Sequence, residues 1–412
     1  MAKLDKGVCR FCGGVLEGVW CFCPLCGERV GKSKSDLDSS EVRLDKVKYH
    51  WERKDGGRIV YENFKSVTGL GYKSSVIPIR PVLGDFVNIH FMNLRLFSFL
   101  YLKPDYLVEL MKLHKAFGYY SVYFALKDTK GSKYVGRDIS NEVIWREYLN
   151  KELADQYRKY VEAAGCGVID KIIFDFKKKR GEMVVSETVS STLKSKKSLC
   201  FLDIASACGP LEVISNSYWA AEEVECIANG GDKCRWVLKP SNSEGFEAAP
   251  KFTQDELKEL LDQSVENFKK GNKMGRERLG DGIYIFDDQL LNYNLVSLSA
   301  GHNILSKYSG SSVGEMLLKG VEEDPMDYLR VLFEARKVGL LEAKEKSKER
   351  IILSMGESAY SSGVRNIHMK LDTFIAGIFE GALKESTGEK WRVDEVKCLA
   401  NGDDCCEFLC VS

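Results

Sequence analysis

Residues 223–236 read E-V-E-C-I-A-N-G-G-D-K-C-R-W, and residues 395–408 read E-V-K-C-L-A-N-G-D-D-C-C-E-F. In both, a Glu is followed by a Cys three positions on and by a second Cys eight further. Glu223, Cys226 and Cys234 map onto Glu395, Cys398 and Cys406 at a constant step of 172 positions. The same step carries Asn229 and Gly230 onto Asn401 and Gly402, and Gly167 onto Gly339. One step shared by positions this far apart is the mark of an internal duplication, which has to be recognised before any element is assigned. The sequence therefore predicts two copies of one unit.

Working outward, 412 residues suggest two or three domains, and 44% apolar residues suffice for ordinary cores. Sixty basic residues balance sixty acidic ones, so nothing global points to nucleic acid or to an anionic membrane. The amino terminus, M-A-K-L-D-K-G-V, is charged where a signal peptide needs an apolar run, and no stretch has the length of a membrane span. Fourteen cysteines in a long chain without a signal read as metal ligands in a reducing cytosol rather than as a disulfide framework. A cytoplasmic protein is expected.

Near the start, Cys9-x2-Cys12 and Cys23-x2-Cys26 are two close pairs separated by a short hairpin, each followed by a glycine (Gly13, Gly27). That is the sequence form of a tetrahedral four-thiolate zinc site, and the segment 1–30 resembles a zinc ribbon. Cys21 is a fifth thiol that can exchange with Cys23. Residues 31–46 are polar and charged, and read as a linker.

The first unit is placed at 47–238 and the second at 253–412, with residues 239–252 linking them. Residues 73–125 of the first unit are rich in aromatics, among them Phe86, Phe91, Phe97, Phe99, Tyr101, Tyr106, Phe117, Tyr119, Tyr120, Tyr123 and Phe124. Such a set packs a core or walls an apolar pocket. A helix is predicted over about 145–164, then a hairpin pairing I-I-F-D-F (172–176) with M-V-V-S (183–186) around a charged tip. G-L-G at 69–71 lacks the strand–turn–helix setting of a phosphate loop and receives no nucleotide role. In the second unit, Thr253 and Glu256 form a capping box for a helix carrying Leu257, Leu260, Leu261, Val265 and Phe268, closed by Gly271. Helices near 295–308, from Asp324-Pro325 to Lys337 and over 371–386 are predicted, with a strand at 351–355. The fold class is α+β or α/β.

Zinc takes four ligands, and each motif offers three, a carboxylate and two thiols. Upstream of the first, Cys200 lies 23 positions before Glu223. The E-x2-C-x7-C ending, the glycine between its cysteines, the aromatic two positions after the last Cys (Trp236, Phe408) and a preceding helix resemble the 4-vinyl reductase, or hydrocarbon-binding, domain. The resemblance implies a fold shared with small subunits of the TRAPP vesicle-tethering complexes, and kinship with the sensory modules of aromatic-responsive bacterial regulators. It further implies zinc held by Cys200, Glu223, Cys226 and Cys234. In the second unit the position 23 before Glu395 is Asp372, which implies Asp372, Glu395, Cys398 and Cys406, with His368 an alternative ligand.

Four protein ligands leave no open position for activated water, so these sites read as structural. The five histidines (His50, His90, His114, His302, His368) fall in no catalytic motif, though His90 and His302 have apolar neighbours and suit a ligand's polar group. The expected function is a binding or sensor protein for a small apolar or aromatic molecule, the two units pairing within one chain or through a dimer. The alternatives are a vesicle-tethering-type adaptor, a transcription regulator using the ribbon on DNA, and, least favoured, an enzyme of tetrapyrrole or aromatic metabolism.

Overall fold

The structure is a computed structural model that describes residues 6–8, 15–17, 80–127, 142–189, 192–243, 246, 249–271, 275–285, 289, 292, 300–364 and 370–412. Cys9, Cys12, Cys21, Cys23, Cys26, the linker 31–46, His50, the G-L-G at 69–71 and His368 lie outside the described residues, as do the side chains of Phe117, Tyr120, Tyr123 and Phe124. Strands β1 (Lys6–Val8) and β2 (Val15–Glu17) pair antiparallel, with Val8 opposite Val15, on either side of the segment that contains Cys9 and Cys12.

From Arg80 the chain runs through β3 (Phe86–Asn88), α1 (Ile89–Leu102) and α2 (Tyr106–Lys127). Then come π-helical turns over Ile144–Leu153 and α3 (Ala154–Ala163), together the helix expected over 145–164. The hairpin β4 (Val168–Asp175) and β5 (Arg180–Ser186), helix α4 (Phe201–Ser215) and the pair β6 (Tyr218–Glu225) and β7 (Cys234–Ser241) complete the first half. The basic tip, residues 177–180, is exposed, so water solvates its charges. The second half has α5 (Gln254–Lys270), β8 (Gly282–Tyr284), α6 (Ala300–Leu318), α7 (Pro325–Ala335), β9 (Leu340–Lys346), β10 (Arg350–Gly356), α8 (Thr373–Thr387), β11 (Arg392–Lys397) and β12 (Cys406–Val411).

Two antiparallel four-stranded sheets result, ordered β4-β5-β7-β6 and β9-β10-β12-β11, so the same order recurs in both halves. Helix α5 forms for the reasons its sequence predicts. Thr253 accepts the Glu256 backbone N–H at 3.2 Å, and Glu256 accepts that of Thr253 at 2.7 Å. Leu257, Leu260, Leu261, Val265 and Phe268 are all buried, each contributing roughly 2 kcal/mol by removal from water.

Helix α6 differs from its expected span, running to Leu318 rather than ending near 308. The glycines that read as breakers there are contact points. A Cβ on Gly310 would meet Phe374 O at 2.1 Å, and one on Gly314 would meet Ile378 O at 2.2 Å. On α8, Gly377 and Gly381 answer them, at 2.2 Å from Lys307 O and 1.9 Å from Ser311 O. Only residues without side chains allow helix backbones this close. The first half uses the device between α2 and α4, where Gly118 lies against Ser206 O and Gly209 against the Tyr119 backbone N–H group.

The halves also exchange segments. Strand β3 pairs with β8, Phe86 opposite Tyr284 and Asn88 opposite Gly282. The backbone bonds around this ribbon are reciprocal. Asn88 N–H donates to Arg336 O and Ile89 N–H to Asp281 O, while Tyr284 N–H donates to Ala164 O and Ile285 N–H to Asp85 O. Each partner pair carries the same loop sequence, R-P-V-L-G-D at 80–85 and R-E-R-L-G-D at 276–281.

Candidate metal centres

Two clusters are assembled by one backbone plan. Cys200 stands at the N-cap of α4 and Asp372 at the N-cap of α8. Glu223 lies on β6 and Glu395 on β11, each one strand away from the returning Cys234 or Cys406 that opens β7 or β12. Between them, Cys226 (φ −140°, ψ 133°) and Cys398 (φ −141°, ψ 130°) each lead into a single 3₁₀ turn. Gly230 and Gly402 end those turns at φ +96°, a conformation that strains any side chain, which is why A-N-G appears in both motifs.

Within each set, Cys200–Glu223–Cys226–Cys234 and Asp372–Glu395–Cys398–Cys406, one ligand atom per residue lies within 4.8 Å of all the others. The structure thus brings together the eight residues proposed for the two repeats. Cys200 Sγ is 3.4 Å from Cys234 Sγ, and Cys234 Sγ is 4.0 Å from Cys226 Sγ. Those separations are far beyond a disulfide bond and bracket the edge of about 3.8 Å of a tetrahedron with zinc–sulfur bonds of about 2.3 Å. Ile227 N–H points to Cys234 Sγ at 3.5 Å and Leu399 N–H to Cys406 Sγ at 3.4 Å, so backbone donors back the same sulfur in both.

The electrostatics ask for a cation. Cys226 is held far below its usual range, chiefly by S–H donation from Cys200 and Cys234, whose own thiols are pushed up. Burial, and then the Cys226 charge, raises Glu223 to about 8. In the second cluster burial raises Asp372 and Glu395, the latter also facing Asp372, while Cys398 is lowered by its contact with Cys406. Glu395 Oε1 is buried with no hydrogen-bond partner. An orphaned carboxylate oxygen amid two thiols and a second carboxyl is costly unless a positive ion neutralises it. The donor sets, three sulfurs with one carboxylate and two of each, fit Zn²⁺. Hydroxyls complete the walls. Thr188 Oγ1 lies 3.7 Å from Cys200 Sγ, Ser361 Oγ lies 3.1 Å from Cys406 Sγ, and Ser358 is bonded to Asp372.

Comparison with known proteins reaches the second cluster. Residues 351–411 match the family model of the 4-vinyl reductase domain. The matched segment spans β10 through β12 and contains Asp372, Glu395, Cys398 and Cys406. It is the half whose ligand set replaces a Cys by Asp. An uncharacterized protein of Methanocaldococcus jannaschii, MJ0150, is 27% identical over 158 residues, 37% of this chain and 91% of that one. Among solved structures, a vinyl-4-reductase family protein from the same organism is 22% identical, covering 36% of this chain and 88% of its own, with a TM-score of 0.24. The trafficking protein particle complex subunit 3 of Naegleria fowleri, solved covalently bound to palmitic acid, is 17% identical, covering 30% and 94%, with a TM-score of 0.23. The phenol-responsive sensory domain of the transcription activator PoxR, solved with phenol, is 13% identical, covering 42% and 79%, with a TM-score of 0.28. Among the described residues of this mixed α/β chain, no helix is long and apolar enough to cross a membrane.

The remaining expected residues are core. Phe91, Phe97 and Phe99 are fully buried, and Phe91 and Phe99 cross to Phe374 at 6.0 Å. His302 sits in this layer between the halves, with Nδ1 2.7 Å from Tyr106 Oη and Phe99 edge-on at 5.2 Å, while Nε2 is buried without a partner. Burial, with Arg95 adding to it, holds the imidazole down at about 3. The folded value lies below the ordinary one near 6.5, so the neutral ring's stabilisation is complete above that pH and is lost as pH falls toward the folded value. Acidifying metal-free protein from pH 6.5 to 4 is therefore expected to remove on the order of 3 kcal/mol through His302. His302→Phe should flatten that limb in urea unfolding, leaving the share due to His114, which burial lowers to about 4. An equally steep limb in the variant would reject this role.

Proposed function

We propose that this chain is a zinc-containing small-molecule binding protein with two units of the 4-vinyl reductase type, at 47–238 and 253–412, behind a zinc ribbon at 1–30. Cys200, Glu223, Cys226 and Cys234 hold one ion, and Asp372, Glu395, Cys398 and Cys406 hold a second. Cys9, Cys12, Cys23 and Cys26 hold a third. The observation that carries this reading is the recurrence of one four-donor cluster on one backbone plan in both halves, with the family match over one of them. Zinc supplies rigidity and charge balance at the N-terminus of each long helix, fixing the turn after Cys226 or Cys398 against the helix end.

The ligand is apolar or aromatic. The aromatic layer between the halves, with Phe99, Tyr106 and Phe374, suits an apolar body, and His302 Nε2 is a ready partner for one polar atom. The test is solvent extraction of the purified full-length chain with mass spectrometry of the extract, beside titration with phenol and with palmitic acid. A co-purified apolar compound, or saturable binding weakened by His302→Phe, is the expected result. A chain that yields nothing and binds neither probe would be read as an adaptor instead.

A further inference from the structure

Glu187 and Glu357 each stand one residue before a hydroxyl that touches a cluster, Thr188 beside Cys200 and Cys234, and Ser358 on Asp372. Both glutamates have positive φ, +53° and +50°, a conformation that side-chain-bearing residues hold only under constraint. The constraint comes from the other half. Glu357 accepts the backbone N–H groups of Val82 (3.0 Å) and Leu83 (2.8 Å), inside the R-P-V-L-G-D loop of the first half. Glu187 accepts those of Arg278 (3.2 Å) and Leu279 (2.9 Å), inside the R-E-R-L-G-D loop of the second.

The arginine that opens each loop is fully buried and ties the same junction. Arg80 donates from Nε to Gly84 O at 2.7 Å, from Nη1 to Lys337 O (2.7 Å) and Glu357 O (3.2 Å), and from Nη2 to Phe86 O (2.6 Å). Arg276 donates from Nε to Gly280 O at 2.9 Å, and from Nη2 to Gly165 O at 2.5 Å and Gly282 O at 3.5 Å. Lys337 and Gly165 are equivalent positions, one step of 172 apart, so the contacts are reciprocal.

We infer that each R-x2-L-G-D loop positions the metal cluster of the opposite half. The Arg80 loop, through Glu357 and Ser358, sets the wall of the Asp372 centre. The Arg276 loop, through Glu187 and Thr188, sets the wall of the Cys200 centre. Undocking a loop frees its glutamate to leave positive φ, and the hydroxyl one residue on swings away from the ligands. Docking of the halves and closure of each cluster are then linked, each favouring the other. The inference rests on the zinc reading above only for what the clusters hold, since the docking concerns the thiols themselves.

Full-length protein is labelled with iodoacetamide, with and without zinc, and the rate at each cysteine is read by peptide mass spectrometry. Arg276→Lys is expected to speed labelling of Cys226 and Cys234 about tenfold, the loss expected when one charged hydrogen-bonded junction is weakened, and to leave Cys398 and Cys406 unchanged. Arg80→Lys should do the reverse. Glu187→Gln and Glu357→Gln are milder changes at the receiving end, and they repeat the pattern where an arginine variant fails to fold. Labelling that rises in the substituted loop's own half, or equally at all four cysteines, or nowhere, overturns the inference. Zinc content is counted separately. A wild type that never holds zinc, yet shows crossed labelling, would reject the metal reading and keep the crossed docking.

Discussion

Cys226→Ser is expected to cost one bound zinc ion and to lower the melting temperature by roughly 8 to 16 °C. An ion present at a thousandfold over its dissociation constant stabilises the folded state by about 4 kcal/mol, and each kcal/mol shifts the melting point of a domain this size by about 2 to 4 °C. The serine hydroxyl keeps the volume but not the thiolate on which the cluster's charge is centred, with Cys200 and Cys234 both donating to it. Loss of the ion leaves Glu223 and two thiols crowded in a buried space. Cys166→Ser, at a half-buried thiol outside both clusters, is the control and should move the melting point by no more than about 2 °C. Equal shifts in the two variants would mean that Cys226 is an ordinary core thiol.

The second large effect is steric. Gly381→Ala should destabilise the second half by about 3 kcal/mol or more, at or beyond the top of the usual range for overpacking. The added Cβ would sit 1.9 Å from Ser311 O, and that atom is backbone, so no side chain can swing aside. Helices α6 and α8 must part, and α8 carries Asp372 at its N-cap, so the second zinc should be held more weakly too. Gly356→Ala, whose nearest neighbour would be 3.9 Å away, is the matched control and should change stability by less than about 0.5 kcal/mol. Chemical denaturation of both variants decides it. A tolerated Gly381→Ala would mean that the helices are not in backbone contact.

What the sequence made legible was local. The E-x2-C-x7-C spacing located both knuckles because the chemistry, two thiols and a carboxylate around a glycine at positive φ, is written in contiguous residues. The capping box at Thr253 and the hairpin after Gly167 were readable for the same reason, since neighbours along the chain satisfy each other. The extent of α6 was not. Gly310 and Gly314 break a helix by propensity, and only the α8 backbone against them makes glycine the residue that fits. The exchange of β3 and β8 was also out of reach, because pairing over such a separation leaves no local pattern.

One signal of the exchange did exist. R-x2-L-G-D recurs from Arg80 to Arg276 at a step of 196 rather than 172, so a search held to a single step passes over it. Asp372 shows the opposite case. Counting back from Glu395 found it, yet its pairing with Ser358 depends on a turn formed by a different strand.

The most direct test of the central claim is native mass spectrometry of the full chain, purified without added zinc, set against its denatured mass. Three zinc ions are expected, one from the N-terminal cysteines and one from each buried cluster. The count should fall by one in Cys226→Ser and by one in Cys398→Ser. A wild type carrying one ion or none, or a count that neither substitution changes, would contradict the account.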